Sequence, residues 1–266
     1  DFQGVALTTL HVETDLLSNV EFDPSMWPRL ASVNRFASLS AYVADTTART
    51  LRLHASVSLT DDNHLLGRTL ALHAMALQVA DAHAEAEQLA RSFGATVAHS
   101  AHPTSGSRTT PDEMINIVDL YQDRGASDSP FESEELAQLV HLDPRPWLIA
   151  ANQLHRVDAD IEFAPDLPAR LELDAEARHP SLGSGLQIRL SIPVEPDAMV
   201  AQRLNASEHL EPDAHQLGAW CVDDERGLHF AGFVPSAAYV PGLSRALAYH
   251  MSARSDWARA LLFPSG

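Results

Sequence analysis

An eight-residue pattern that occurs twice constrains this chain more than any other feature. Leu66 to His73 reads LGRTLALH and Leu243 to His250 reads LSRALAYH, with five of eight positions identical as L-x-R-x-L-A-x-H. The same order of segments recurs around each copy. An alternating apolar–polar stretch precedes a proline-opened helix that ends in an apolar residue plus asparagine. The pair is Val33-Asn34 in the first half and Leu204-Asn205 in the second. A stretch with a large aromatic follows, Tyr42 answering Trp220, and the return stretches open Leu53-His54 and Leu228-His229. The octapeptide then begins a long helix. One octapeptide match is easily obtained in a chain rich in Ala, Leu and Arg, but four elements in one order at similar spacing are not. The expected class is α+β: two related units, each an antiparallel sheet packed with helices.

Helix spacing says what the repeated pattern does. Leu66, Leu70, His73 and Leu77 fall on one stripe, as do Leu243, Leu247, His250 and Trp257, whereas Arg68 and Arg245 point away from it. His73 and His250 are therefore expected on the packed face as hydrogen-bonded histidines, not as ligands. Strands are expected over Gly4–Glu13, in Ser38–Leu59, in one long run from Trp147 to Phe163, in Ala169–Arg178 and around Leu186–Ile192. The first helix is expected to open near Pro24, capped by Asp23 or Ser25, and the longest to run from His64 to Phe93 with Gly94 as its stop. The division expected is residues 1–102 as a first unit, 103–146 as a linker with short helices, and 147–266 as a second unit. The strand Ala169–Arg178 has its counterpart before Asp1, so the first unit is expected to lack its first strand.

With 36 acidic and 18 basic residues the chain carries a net charge of −18, which disfavours phosphate backbones and anionic lipid surfaces as general partners. Every basic residue is arginine, a usage that reads first as codon bias. One cysteine, Cys221, leaves no internal disulfide and fits a reducing compartment, so a cytoplasmic protein is expected.

Catalytic signatures are missing from the sequence. His99 and His102 form a lone H-x-x-H pair without the further ligands that zinc needs. Ser181–Gly185 does not satisfy G-x-S-x-G, and no glycine-rich nucleotide loop occurs. Acidic neighbours of Cys221 would raise rather than lower its thiol pKa. The cluster Glu132, Glu134 and Glu135 reads as a helix start, and Asp223-Asp224-Glu225 as a hairpin turn. No residue is assigned a catalytic, cofactor-binding or metal-binding role.

The segment Ile192 to Leu262 resembles the YbjN-like and type III secretion chaperone-like group of bacterial proteins. Leu204-Asn205 ending a helix, the acidic turn Asp223–Gly227, the strand end Phe233-Val234-Pro235 and the closing helix Gly242–Leu262 carry the resemblance. Phe22–Leu89 resembles the group more loosely, and the insertion Thr104–Arg156 departs from it. The resemblance implies a curved antiparallel sheet flanked by helices, and a chaperone-like or regulatory protein without enzymatic activity or cofactor. Its partner would be an as yet unidentified protein, and the chain would be a pseudo-dimeric monomer or a homodimer. The alternative expectation is a sensory module binding a small molecule between the two units.

Overall fold

A computed structural model describes residues 8–36, 38–59, 63–98, 121, 131, 147–153, 156–208 and 216–264. The expected linker helices, His99, His102 and Glu132–Glu135 lie outside these residues. The described chain is mixed α and β, with two antiparallel sheets and four α-helices. The first sheet comprises β1 (Thr8–Ser18), β2 (Ala41–Asp45), β3 (Thr50–Leu59) and β4 (Thr96–Val97) in the order β2-β3-β1-β4. The second contains β5 (Trp147–Gln153), β6 (Arg156–Ala164), β7 (Leu167–Asp174), β9 (Gly183–Ser191), β10 (Ala219–Asp223) and β11 (Gly227–Pro235). Its order is β10-β11-β9-β7-β6-β5, with the two-residue β8 (Arg178–His179) folded onto β9.

The helices are α1 (Trp27–Asn34), α2 (His64–Phe93), α3 (Ala198–Glu208) and α4 (Leu243–Leu262). Local chemistry sets their ends. Asp23 accepts from the Ser25 amide at 2.7 Å and opens a 3-10 turn, Pro24–Met26, so α1 starts only at Trp27 with Pro28 in its first turn. Asp197 caps α3 in the same way, accepting from Met199 at 2.7 Å. Helix α2 stops where Gly94 turns left-handed (φ 60°) and returns its amide to Ala90.

Strand ends depart from the sequence pattern where side-chain alternation breaks. In β1 the pairing with β3 skips a residue between Asp15 and Leu17, a bulge that buries both Leu16 and Leu17. The strand thus runs to Ser18 instead of ending near Glu13. The run Trp147–Phe163, read as one strand, is two antiparallel strands, β5 and β6, because each side of the segment can pair with the other. The edge beside β1 that would match β7 beside β9 is taken by β4, which follows α2 in the chain.

Helix α2 packs across β1 and β3, and α4 across β6 and β9. Between the sheets, α1 and α3 lie against each other and over both edge strands, β2 and β10. Ala41, Val43 and Ala219 fill this seam. Backbone bonds cross it too: Ser56 donates to Gln216 O at 3.1 Å, and the Gln216 amide donates to Ser56 Oγ at 3.0 Å. The largest core runs from the first half of α2, through Leu70, Ala74 and Leu77, into the second sheet, so packing is continuous across the boundary. A separate core joins Leu16, Leu17, Tyr42 and Leu53 to the second half of α2. Tyr121 and Phe131 of the intervening segment are buried in the larger core, Tyr121 bonded to His73 and Phe131 edge-on to Tyr239. No helix among the described residues is long and apolar enough to cross a membrane.

Candidate functional site

Strand alternation sorts the second sheet into two faces. Leu186, Ile188 and Leu190 of β9 and Phe230 of β11 point into the core, so Gln187, Arg189, His229 and Ala231 emerge on the opposite face. The end of α1 closes over that face with Arg35 and Phe36, and the β8 turn adds Arg178, His179 and Pro180. Together they enclose a cleft of about 260 Å³ between the end of α1 and the second sheet.

Four guanidiniums, from Arg35, Arg178, Arg189 and Arg226, line this cleft against one carboxylate, Asp223. For a chain of net charge −18 this is a local inversion of sign. Asp223 is held by backbone amides: its Oδ1 accepts from Glu225 at 3.1 Å and from Arg226 at 2.6 Å. Burial pushes its carboxyl up, but the Arg226 amide and the Arg35 and Arg226 guanidiniums outweigh that and keep it below its ordinary value. The arginines are loosely paired. Arg35 and Arg226 stand 3.7 Å from Asp223, and Arg189 stands 3.9 Å from Glu172. Among the described residues, only Arg226 with the exposed Glu225, at 2.8 Å, makes a close pair. Arg189 lies below the usual guanidinium range, through burial first and the neighbouring Arg226 second.

Two histidines flank the cleft, and both are fixed as neutral rings. His179 Nδ1 accepts from the Ser181 amide at 3.2 Å, which leaves Nε2–H to donate to Phe36 O at 3.2 Å. Burial first holds its pKa below the ordinary value, and the ring ties the β8 turn to the end of α1. His229 Nδ1 donates to Gly227 O at 3.0 Å, so Nε2 accepts the thiol of Cys221 at 3.2 Å. Burial first lowers His229 as well.

The Cys221–His229 pair is poor equipment for nucleophilic chemistry. The thiol is fully buried and pushed up to about 12, by burial first and by Asp223 second. In a nucleophile–base–acid relay the carboxylate holds the imidazole nitrogen remote from the nucleophile. Here Asp223 Oδ2 lies 3.8 Å from Nε2, the nitrogen already facing sulfur.

Of the residues weighed from sequence, Asp223 lines the cleft and the repeated histidines lie elsewhere. His73 and His250 are half-buried on the packed faces of α2 and α4, while Arg68 and Arg245 are exposed. Asp223-Asp224-Glu225 forms the β10–β11 turn. The cleft itself escaped the sequence reading, because its arginines are scattered from Arg35 to Arg226 with no common spacing. The one available signal was the exclusive use of arginine, which suits planar, multidentate anion contacts.

The two halves share local geometry as well as strand order. Asn34 is buried at the end of α1, accepting from the Tyr42 amide at 2.7 Å and donating to Tyr42 O at 3.2 Å. Asn205 in α3 does the same to Trp220, at 2.7 and 2.9 Å. Asp45 caps its turn through the Thr47 and Ala48 amides as Asp223 does. The pairing register corrects one correspondence: Leu53 stands opposite Tyr42 and Phe230 opposite Trp220, so Leu53 answers Phe230 and not Leu228. His54 and His229 are thus not counterparts. His54 instead bonds Gln216 Oε1 at 2.5 Å across the seam.

No family model, curated protein or solved structure matches this chain.

Proposed function

We propose that the protein is a non-catalytic binding protein built from two related α+β units, with a small-molecule site in the cleft between them. The observation that carries this reading is the set of four guanidiniums in one cleft of a strongly acidic chain, of which Arg226 alone has a close carboxylate partner among the described residues. Like charges crowded at a partly dry site are unfavourable in the empty protein, and binding an anion relieves them. The shared order β1-α1-β2-β3-α2 and β9-α3-β10-β11-α4, with equivalent asparagine clamps, supports the two-unit reading. The buried, neutral Cys221 supports a binding role over a nucleophilic one and accords with a reducing cytoplasm.

The test is thermal melting against a panel of anionic, neutral and cationic metabolites, run on the wild type and on Arg189→Met. Anionic compounds are expected to raise the wild-type midpoint and to leave the variant unmoved. A panel that shifts both proteins equally, or neither, removes this reading.

A second reading, chaperone-like protein binding, draws on the surface of α2. Leu65, Leu72, Met75 and Val79 are exposed and fall on one helical face. Leu72→Glu with Met75→Glu would abolish capture of a protein partner while leaving the cleft intact.

A further inference from the structure

We infer that the junction cleft takes a phosphoryl dianion, as a small phosphate monoester or as free phosphate. This rests on the cleft being a ligand site and names the chemistry it recognises. Charge is the first argument: four guanidiniums against one carboxylate leave the lining with three positive charges in excess, more than a single carboxylate ligand would balance. Outside the lining, the exposed Glu225 pairs with Arg226 at 2.8 Å and offsets one of these charges, which leaves the charge of a dianion to be balanced. Glu172 is already shared among Arg156, Arg170, Arg189 and Arg226, none closer than 3.5 Å, and its Oε2 is buried without a hydrogen bond.

Direction is the second argument. The guanidiniums arrive from four places: the end of α1, β8, β9 and the β10–β11 turn. A planar carboxylate is satisfied by one or two in-plane forks, whereas the three terminal oxygens of a phosphoryl group accept donors from several directions. The exposed Arg178 has no ion-pair partner among the described residues and stands at the rim, where it can close on a bound anion.

Shape is the third argument. A volume of about 260 Å³ holds a phosphoryl group with a body of a few carbon atoms. Phe36, Pro180 and Phe233 give that body an apolar wall, and Asp223 offers an acceptor for a ligand hydroxyl. His179 packs on Phe233 at 5.1 Å and bonds Phe36 O, so the end of α1 and the second sheet both contribute to the wall.

The experiment is calorimetric titration of the full chain at pH 8 and constant ionic strength with inorganic phosphate, glycerol 3-phosphate and citrate. Arg178→Gln and Arg189→Lys are titrated alongside, and far-ultraviolet circular dichroism checks that each variant is folded. The expected result is saturable binding of phosphate or glycerol 3-phosphate, weakened about tenfold by Arg178→Gln, the loss of roughly one charge-assisted hydrogen bond. Tighter binding of glycerol 3-phosphate identifies a monoester ligand, and equal or tighter binding of phosphate identifies the free ion. Citrate binding that is lost in the variants, with neither phosphate compound bound, would overturn the phosphoryl assignment and keep the ligand site. No saturable binding of any anion to the wild type, or binding unchanged in both variants, would overturn the assignment and the site together.

Discussion

At the scale of single residues, two buried asparagines do the most structural work. Asn205 satisfies both the amide and the carbonyl of Trp220, and its own exposure is nil. Asn205→Ala leaves two backbone groups buried without partners and should cost about 2–4 kcal/mol, read as a lowered urea midpoint. Asn34→Ala should act in the same direction through Tyr42. The sequence flagged both asparagines by position, yet their partners lie 8 and 15 residues further on and became visible only once the strands folded back. A second residue-scale effect concerns Asp81 on α2, whose carboxyl is pushed up to about 7 by burial first and by the charge of Glu85 second. Between its ordinary value of 3.8 and about 7 the folded state binds more protons than the unfolded one, so this group's stabilising contribution falls as pH rises through that window. Asp81→Asn removes the fall and should stabilise the protein above pH 7 by on the order of 1–3 kcal/mol. Urea midpoints at pH 5 and pH 8 check this: the variant's should differ less than the wild type's.

Between elements, α3 and α4 are joined by a buried ion pair. Arg254 Nε donates to Glu208 Oε1 at 2.6 Å, Trp220 Nε1 donates to Oε2 at 2.9 Å, and the guanidinium lies 3.9 Å from the Phe230 ring centre. Arg254→Met strands the Glu208 carboxylate in the core and should cost about 3–5 kcal/mol. Glu208→Gln with Arg254→Met should recover part of that loss, because no lone charge stays buried; a double-mutant cycle measures the coupling. In the second sheet, an added Cβ at Gly185 would stand 2.4 Å from Val234 O, so Gly185→Ala must separate β9 from β11. Helix bounds were legible in the sequence because caps are local: Asp23, Asp197 and Gly94 each act within four residues. Strand bounds were not. The bulge at Leu16 and the division of the Trp147–Phe163 run depend on which strand pairs alongside, and alternation carries no record of a partner.

For the whole molecule, the seam decides whether two halves behave as one. Ala41, Val43 and Ala219 meet between β2 and β10 with no exposure above 2%. The seam bonds of Ser56, His54 and Gln216 reinforce this packing. Unfolding is therefore expected to be a single transition, coincident by far-ultraviolet circular dichroism and by tryptophan fluorescence, whose four reporters are Trp27, Trp147, Trp220 and Trp257. Ala219→Leu overfills the seam and should lower that one midpoint, at a cost of about 1–3 kcal/mol, without splitting it. The sequence by itself determined the mixed α and β class, the long helix α2 with its stop at Gly94, and the packed faces of α2 and α4, since all of these are written in residues near one another. Only the tertiary structure decided that Arg35, Arg178, Arg189 and Arg226 share a cleft, that β4 takes the edge of the first sheet, and that one core crosses the boundary. These depend on contacts between residues far apart in the chain, and no local period or spacing encodes which distant surfaces meet.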